Sequence, residues 1–202
     1  TASGTINISS TAGSIAVNSI VAGPAGGSGV TLSATAGAVT EAGAGDAGVD
    51  IDCGALVIDA ATGVGSANAI ETEASSVDVD NTTSGAIQLT ESDAVTILNL
   101  TQAAAGNNIV FTSMGGTVTV DSVAATAVTA SGAGTISITA TGAASDVVID
   151  NGISGGTGAV TITAGRYVEI NYAVTSTTGQ IEFVSSAAGP IYLGADITTA
   201  GG

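Results

Sequence analysis

Two apolar positions recur about every 22 residues from one end of this 202-residue chain to the other, and a fixed period of that size means stacked repeats in place of one globular core. The first series runs Ile6, Val30, Ile51, Ile70, Ile87, Ile109, Ile136, Val160 and Ile181. The second runs Ile15, Val39, Leu56, Val77, Val95, Val118, Val147, Val168 and Ile191, and single steps in either series range from 17 to 29 residues. The least regular stretch is 123–134.

Most anchors open a short alternating run introduced by Gly or Ser, such as Gly116-Thr117-Val118-Thr119-Val120 and Gly134-Thr135-Ile136-Ser137-Ile138. Alternation with a period of two in β-branched residues predicts half-buried strands, with glycine supplying the turns between them. No window spaces its apolar residues by three and four with capping signals, so helix is not expected. Aromatic residues make up 2% of the chain and Gly accounts for 30 positions, which leaves side chains too small to fill a wide core. A thin core suits a parallel β-solenoid, in which each coil buries its faces against the coils above and below. The expectation is one all-β domain over 1–202, a single-stranded β-helix of about nine coils of about 22 residues. Nine coils at about 4.8 Å would make a rod about 43 Å long. Strands every 8 to 12 residues also fit β-sandwich repeats, against which stand the missing Trp and the persistence of the two-strand unit.

The formal charge is −16, with Arg166 the sole cation against 17 carboxylates and no His. Phosphate backbones and anionic lipid bind through Lys and Arg, so nucleic acid is excluded as a partner, and no apolar run suggests membrane insertion. Cys53 has no partner for an internal disulfide. It shares a strand face with Ile51 and is expected to be a small core residue.

Neither terminus carries a polar or helical cap, and an uncapped solenoid offers unpaired backbone groups to another strand. The expected partner is further coils, supplied by a longer repeat array or by identical subunits stacked head to tail into a filament.

The runs Ala159-Val160-Thr161-Ile162-Thr163-Ala164-Gly165, Val168-Glu169-Ile170-Asn171-Tyr172-Ala173-Val174-Thr175-Ser176 and Gly189-Pro190-Ile191-Tyr192-Leu193-Gly194-Ala195-Asp196-Ile197-Thr198-Thr199 resemble the repeats of filamentous-haemagglutinin-like adhesins and related β-strand-repeat proteins of bacterial surfaces. The likeness lies in pattern and composition. It implies an exported, extracellular right-handed β-helix serving as a structural or adhesive fibre; the alternative is an adhesion module whose acidic midsection holds calcium or whose aromatic C-terminal section holds a glycan or a receptor on a host or cell surface. The Asn-Pro-containing secretion motifs of two-partner haemagglutinins do not occur here.

Chemistry-bearing residues are few. With neither His nor Lys, a tunable base is lacking and no enzyme is expected. A remote alternative is a polysaccharide-acting β-helix enzyme pairing Arg166 with carboxylates, as some β-helix polysaccharide lyases do. No cofactor is required by any motif. Eleven of the seventeen acids fall between Glu41 and Asp93. Aligning the anchors stacks Asp52 over Glu71 and Asp59 over Asp80, like-charged pairs that solvent, a raised pKa or a bound calcium ion would relieve. A solvated acidic face that keeps a fibre soluble is the plainer reading. Arg166, Tyr167, Tyr172 and Tyr192 gather near the C-terminal end, as cover for the last coils or as a contact surface for a partner. Asn7, Asn81 and Asn99 open glycosylation sequons. Thr117/Thr119, Ser137/Thr139 and Thr161/Thr163 form outward pairs, with Thr117 on a different strand series, so no unbroken threonine ladder is expected.

Overall fold

The computed structural model describes residues 4–23, 28–43, 48–121 and 126–200. Part of the irregular stretch 123–134 and the outermost residues of both termini therefore lie outside the described residues. The described chain is all β, with no helical residue, and its strands pair in parallel as a solenoid of about 8 turns. At about 4.8 Å per turn that shortens the expected rod to about 38 Å.

Each turn has three sides. One ladder joins Ile6, Val30, Leu56 and Val77, continues through Val79 and Leu100, and then runs Val128, Ile153, Val174 and Ile197. A second joins Ile15, Val39, Val64, Ile87, Ile109, Ile136, Val160 and Ile181. A third runs Val95, Val118, Val147, Val168 and Ile191. Between successive partners the chain advances by varying lengths, from 19 residues between Ile70 and Leu89 to 31 between Ile20 and Ile51.

Three-sidedness corrects the anchor series and the count of nine. Val30 pairs with Leu56, not Ile51; Val39 pairs with Val64, not Leu56; Val77 pairs with Ile97, not Val95. Val30 and Ile51 thus lie in the same turn, as do Val77 and Val95, so nine anchors fill eight turns. The cause is that Ile51–Ala60, Ile70–Asn81 and Val95–Gln102 are long strands that round a corner without a loop, so one strand serves two faces. From Ile87 and Val95 onward, the expected pairings hold on both faces.

Inward positions are Ile, Val, Leu and Ala in one continuous core. Strands such as Ile136–Ala140 and Val160–Ala164 alternate buried with half-buried residues along their whole length. Phe111 is the one fully buried aromatic among the described residues. Gly116 shows why glycine punctuates the corners: φ is 79°, and a Cβ there would stand 2.5 Å from the backbone nitrogen of Ala94 in the preceding turn. Two polar rows interrupt the core at corners. Asn81 pairs with Gln102, and their amides bond to each other and to the turn carbonyls of Ser84 and Gly85. The other row is Thr72, Glu91 and Ser113, which continues as Ala140 and Ala164. No helix among the described residues is long and apolar enough to cross a membrane.

Candidate functional site

The acidic midsection is arranged differently from the stacking expected of it. Asp52 pairs with Glu73, not Glu71, because Ile51 aligns with Thr72, which moves the whole strand by two positions. Asp59 does stack on Asp80. Burial first, then Asp80 and Asp78, push the Asp59 carboxyl above its ordinary range. Asn99 ties the neighbouring acids together, donating from Nδ2 to Asp78 at 2.9 Å and to Asp80 at 3.0 Å, while the Thr101 hydroxyl donates to its Oδ1 at 2.7 Å.

Glu71 belongs to another group. Glu41 ends the strand Val39–Glu41, Asp50 precedes the strand beginning at Ile51, and Glu71 is the second residue of Ile70–Asn81. Carboxylate oxygens of these three lie within 4.8 Å of one another. Asp50 is almost wholly buried, and its Oδ2 accepts the Glu71 backbone N–H at 3.2 Å. Burial, then Asp50 and Glu41, push the Glu71 carboxyl up to about 7. Glu71 Oε2 is buried with no hydrogen-bond partner, as is the amide nitrogen of Asn68. Asn68 and Glu41 share the wall of a concavity of about 270 Å³ with Thr40, Ala42, Gly43 and Ala67. Three convergent carboxylates form an all-oxygen donor set, the chemistry that suits a hard divalent cation such as calcium. Anchor alignment missed this group because it set Ile51 against Ile70, whereas Ile51 lies against Thr72, which takes Glu71 away from Asp52 and puts it beside Asp50.

Glu91 is fully buried in the polar row. Its carboxylate accepts the Thr72 hydroxyl at 2.7 Å, the Ala74 N–H at 3.1 Å and the Ser92 N–H at 3.0 Å. Burial outweighs those bonds and pushes the carboxyl up to about 7. Cys53 is fully buried as expected of a core residue, and burial followed by the Glu91 charge raises its thiol to about 11.

At the C-terminal end, three of the four expected contact residues come together. Buried Asp146 accepts both Nε of Arg166, at 2.7 Å, and its Nη2, and also the Tyr167 N–H at 3.3 Å. The Arg166 hydrogen bond holds the Asp146 carboxyl below its ordinary range. The guanidinium lies 5.0 Å from the centre of the Tyr167 ring, whose edge contact with Tyr192 has a centroid distance of 6.0 Å. Tyr192 points outward and is 54% exposed, so it does not cover the last core layer; Phe183 packs there. Tyr172 stands apart, at the next corner.

Outward residues form ladders that the sequence pairs did not suggest. Thr90, Thr112, Thr139 and Thr163 stack in register, beside Ser137 on Thr161. Thr119 lies on another face, between Thr96 and Val148. Of the three sequon asparagines, Asn81 is buried in the core amide network, Asn99 is engaged by the acids, and Asn7 is exposed.

No family model matches this chain, and neither the curated proteins nor the solved structures contain a significant match to it.

Proposed function

We propose that this chain is a non-enzymatic structural element of an extracellular bacterial surface or matrix fibre or adhesin, a solenoid segment that extends by adding coils at its ends. One observation supports the reading above all others: the core rows run open to both ends of the described stack. At one end Ile6 and Ile20 are half-buried and Ile8 and Val21 exposed; at the other Ile181, Phe183 and Ile197 are half-buried and Ile191 and Leu193 exposed. Every ladder is parallel, so the two edges differ and complement each other. A copy added with its strands parallel joins head to tail, a contact that propagates. Small side chains and axial backbone ladders make such a rod stiff, and its acidity keeps it soluble.

Electron microscopy of the purified 202-residue chain tests this reading. Filaments with a diffraction repeat near 4.8 Å support end-to-end addition. Discrete particles at all concentrations overturn it for this segment and leave covalent continuation as the route to a fibre. A second reading, an adhesion module ordered by calcium, is favoured by the convergence of Glu41, Asp50 and Glu71.

A further inference from the structure

The corner after the strands Val168–Ile170 and Ile191–Leu193 carries a group of exposed side chains outside the core. Ile170 pairs with Leu193, so Asn171 and Gly194 begin two corners that lie one above the other. Between Asn171, Tyr172 and Ala173 on one turn and Gly194, Ala195 and Asp196 on the next opens a concavity of about 480 Å³. Tyr172 is 46% exposed at its rim. The Asn171 carboxamide is pinned, its Nδ2 donating to Asp150 at 2.8 Å and to Glu169 at 3.2 Å. That leaves Oδ1 turned toward Gly194, where a Cβ would come within 3.3 Å of it and 3.1 Å of the Ile170 carbonyl. Glycine at 194 keeps the space open.

We propose that this corner binds a neutral pyranose unit of an oligosaccharide. A tyrosine ring offers an apolar face to the C–H side of a sugar while its hydroxyl stays polar. The Asp196 carboxylate and Asn171 Oδ1 are acceptors for hydroxyl protons, and Ala173, Gly194 and Ala195 line the space between them without bulk, the combination of apolar wall and few polar groups that orients a small ligand. No cation lines the concavity, and Arg166 is engaged by Asp146, so uronates and sialylated sugars are disfavoured. The site supplies an adhesive contact to the fibre reading and rests on that reading for its biological setting, but it needs only two coil corners and no filament.

Saturation-transfer difference NMR, which reads the ligand and works on single rods and filaments alike, tests the site with the methyl glycosides of glucose, galactose, mannose and N-acetylglucosamine, alongside glucuronate and spermidine. At least one neutral glycoside should receive saturation, and its signal should fall about tenfold in Tyr172→Ala and in Asp196→Ala while Tyr192→Ala leaves it unchanged. Gly194→Val sets a branched side chain against Asn171 Oδ1 and the Ile170 carbonyl, covering that acceptor, and should abolish the signal in protein whose circular dichroism is unaltered. No signal from any neutral glycoside, or a signal that survives Tyr172→Ala and Gly194→Val, overturns the proposal, as does binding of spermidine alone. Micrographs of the same samples keep the two readings apart: filaments without a sugar signal sink the site only, and a sugar signal without filaments sinks stacking only.

Discussion

The backbone N–H of Glu71 donates to the carboxylate of Asp50 at 3.2 Å, while the side chains of the same two residues join Glu41 to bring three carboxylates within 4.8 Å. The backbone therefore holds together acids that repel one another, and the Glu71 carboxyl answers by rising to about 7.

Calcium should relieve that repulsion. Adding millimolar calcium to chelator-treated protein is expected to raise Tm by several degrees, and Glu71→Gln should raise Tm in the absence of calcium and cancel most of the calcium effect. Thermal melts of both proteins, with and without the ion, check this. A calcium shift of equal size in Glu71→Gln would place the ion elsewhere.

Stability should fall as pH rises through the range set by Glu71 and Glu91. Both carboxyls rise from 4.5 to about 7 in the folded chain, so the folded state binds more protons than the unfolded one between those values. The slope of unfolding free energy with pH is then negative from about 4.5 to about 7 and flattens above. Denaturant titrations across that window check the sign, and the slope should become shallower in both Glu71→Gln and Glu91→Gln.

Removing the Glu91 carboxylate altogether acts differently. Glu91→Ala strands the Ala74 N–H in a buried corner and leaves the Thr72 hydroxyl only the Thr90 carbonyl at 3.4 Å, at a cost of about 2 kcal/mol. Urea unfolding measures it, and a loss below about 1 kcal/mol would mean that water reaches the corner.

Phe111→Ala should be the most damaging apolar truncation, costing about 3–5 kcal/mol, because the ring is fully buried between Leu89 and Ile138 of the adjacent turns and a gap there is flanked on both sides. The same urea experiment reads it against Tyr192→Ala, whose exposed ring should cost little.

Trypsin has one site, Arg166. Its guanidinium is tied to Asp146 and its flanking strands lie inside the ladder, so limited proteolysis of the intact rod should be slow, and Asp146→Ala should speed it several-fold by freeing the side chain. The depressed Asp146 carboxyl contributes stability above its ordinary value of 3.8 that is lost as pH falls below it. Rapid cleavage of the wild-type chain into fragments that separate would contradict a cooperative rod.

Much of the fold was legible in the residues because its cause is local. Alternation in Ile136-Ser137-Ile138 and Val160-Thr161-Ile162 dictates strands with one inward face, and from Ile87 onward each turn contributes one anchor to each series, so the order of anchors gives their partners. The contact group was partly legible: Arg166, Tyr167 and Tyr192 meet because Val168 and Ile191 share a ladder. The acidic group was legible at Asp59 and Asp80 and illegible at Glu71.

By itself, then, the sequence determined a narrow parallel stack: the period, the β-branched alternation, the glycine corners and the near absence of bulky residues admit little else. Only the tertiary structure decided that each turn has three sides, that Leu56 and not Ile51 lies against Val30, and that Glu41, Asp50 and Glu71 converge. The physical reason is that side-chain alternation records which face of a strand turns inward, whereas the choice of neighbouring strand depends on how far each corner or loop carries the chain before it rejoins the wall. Corners without loops, such as that within Ile51–Ala60, leave no periodic trace of that distance.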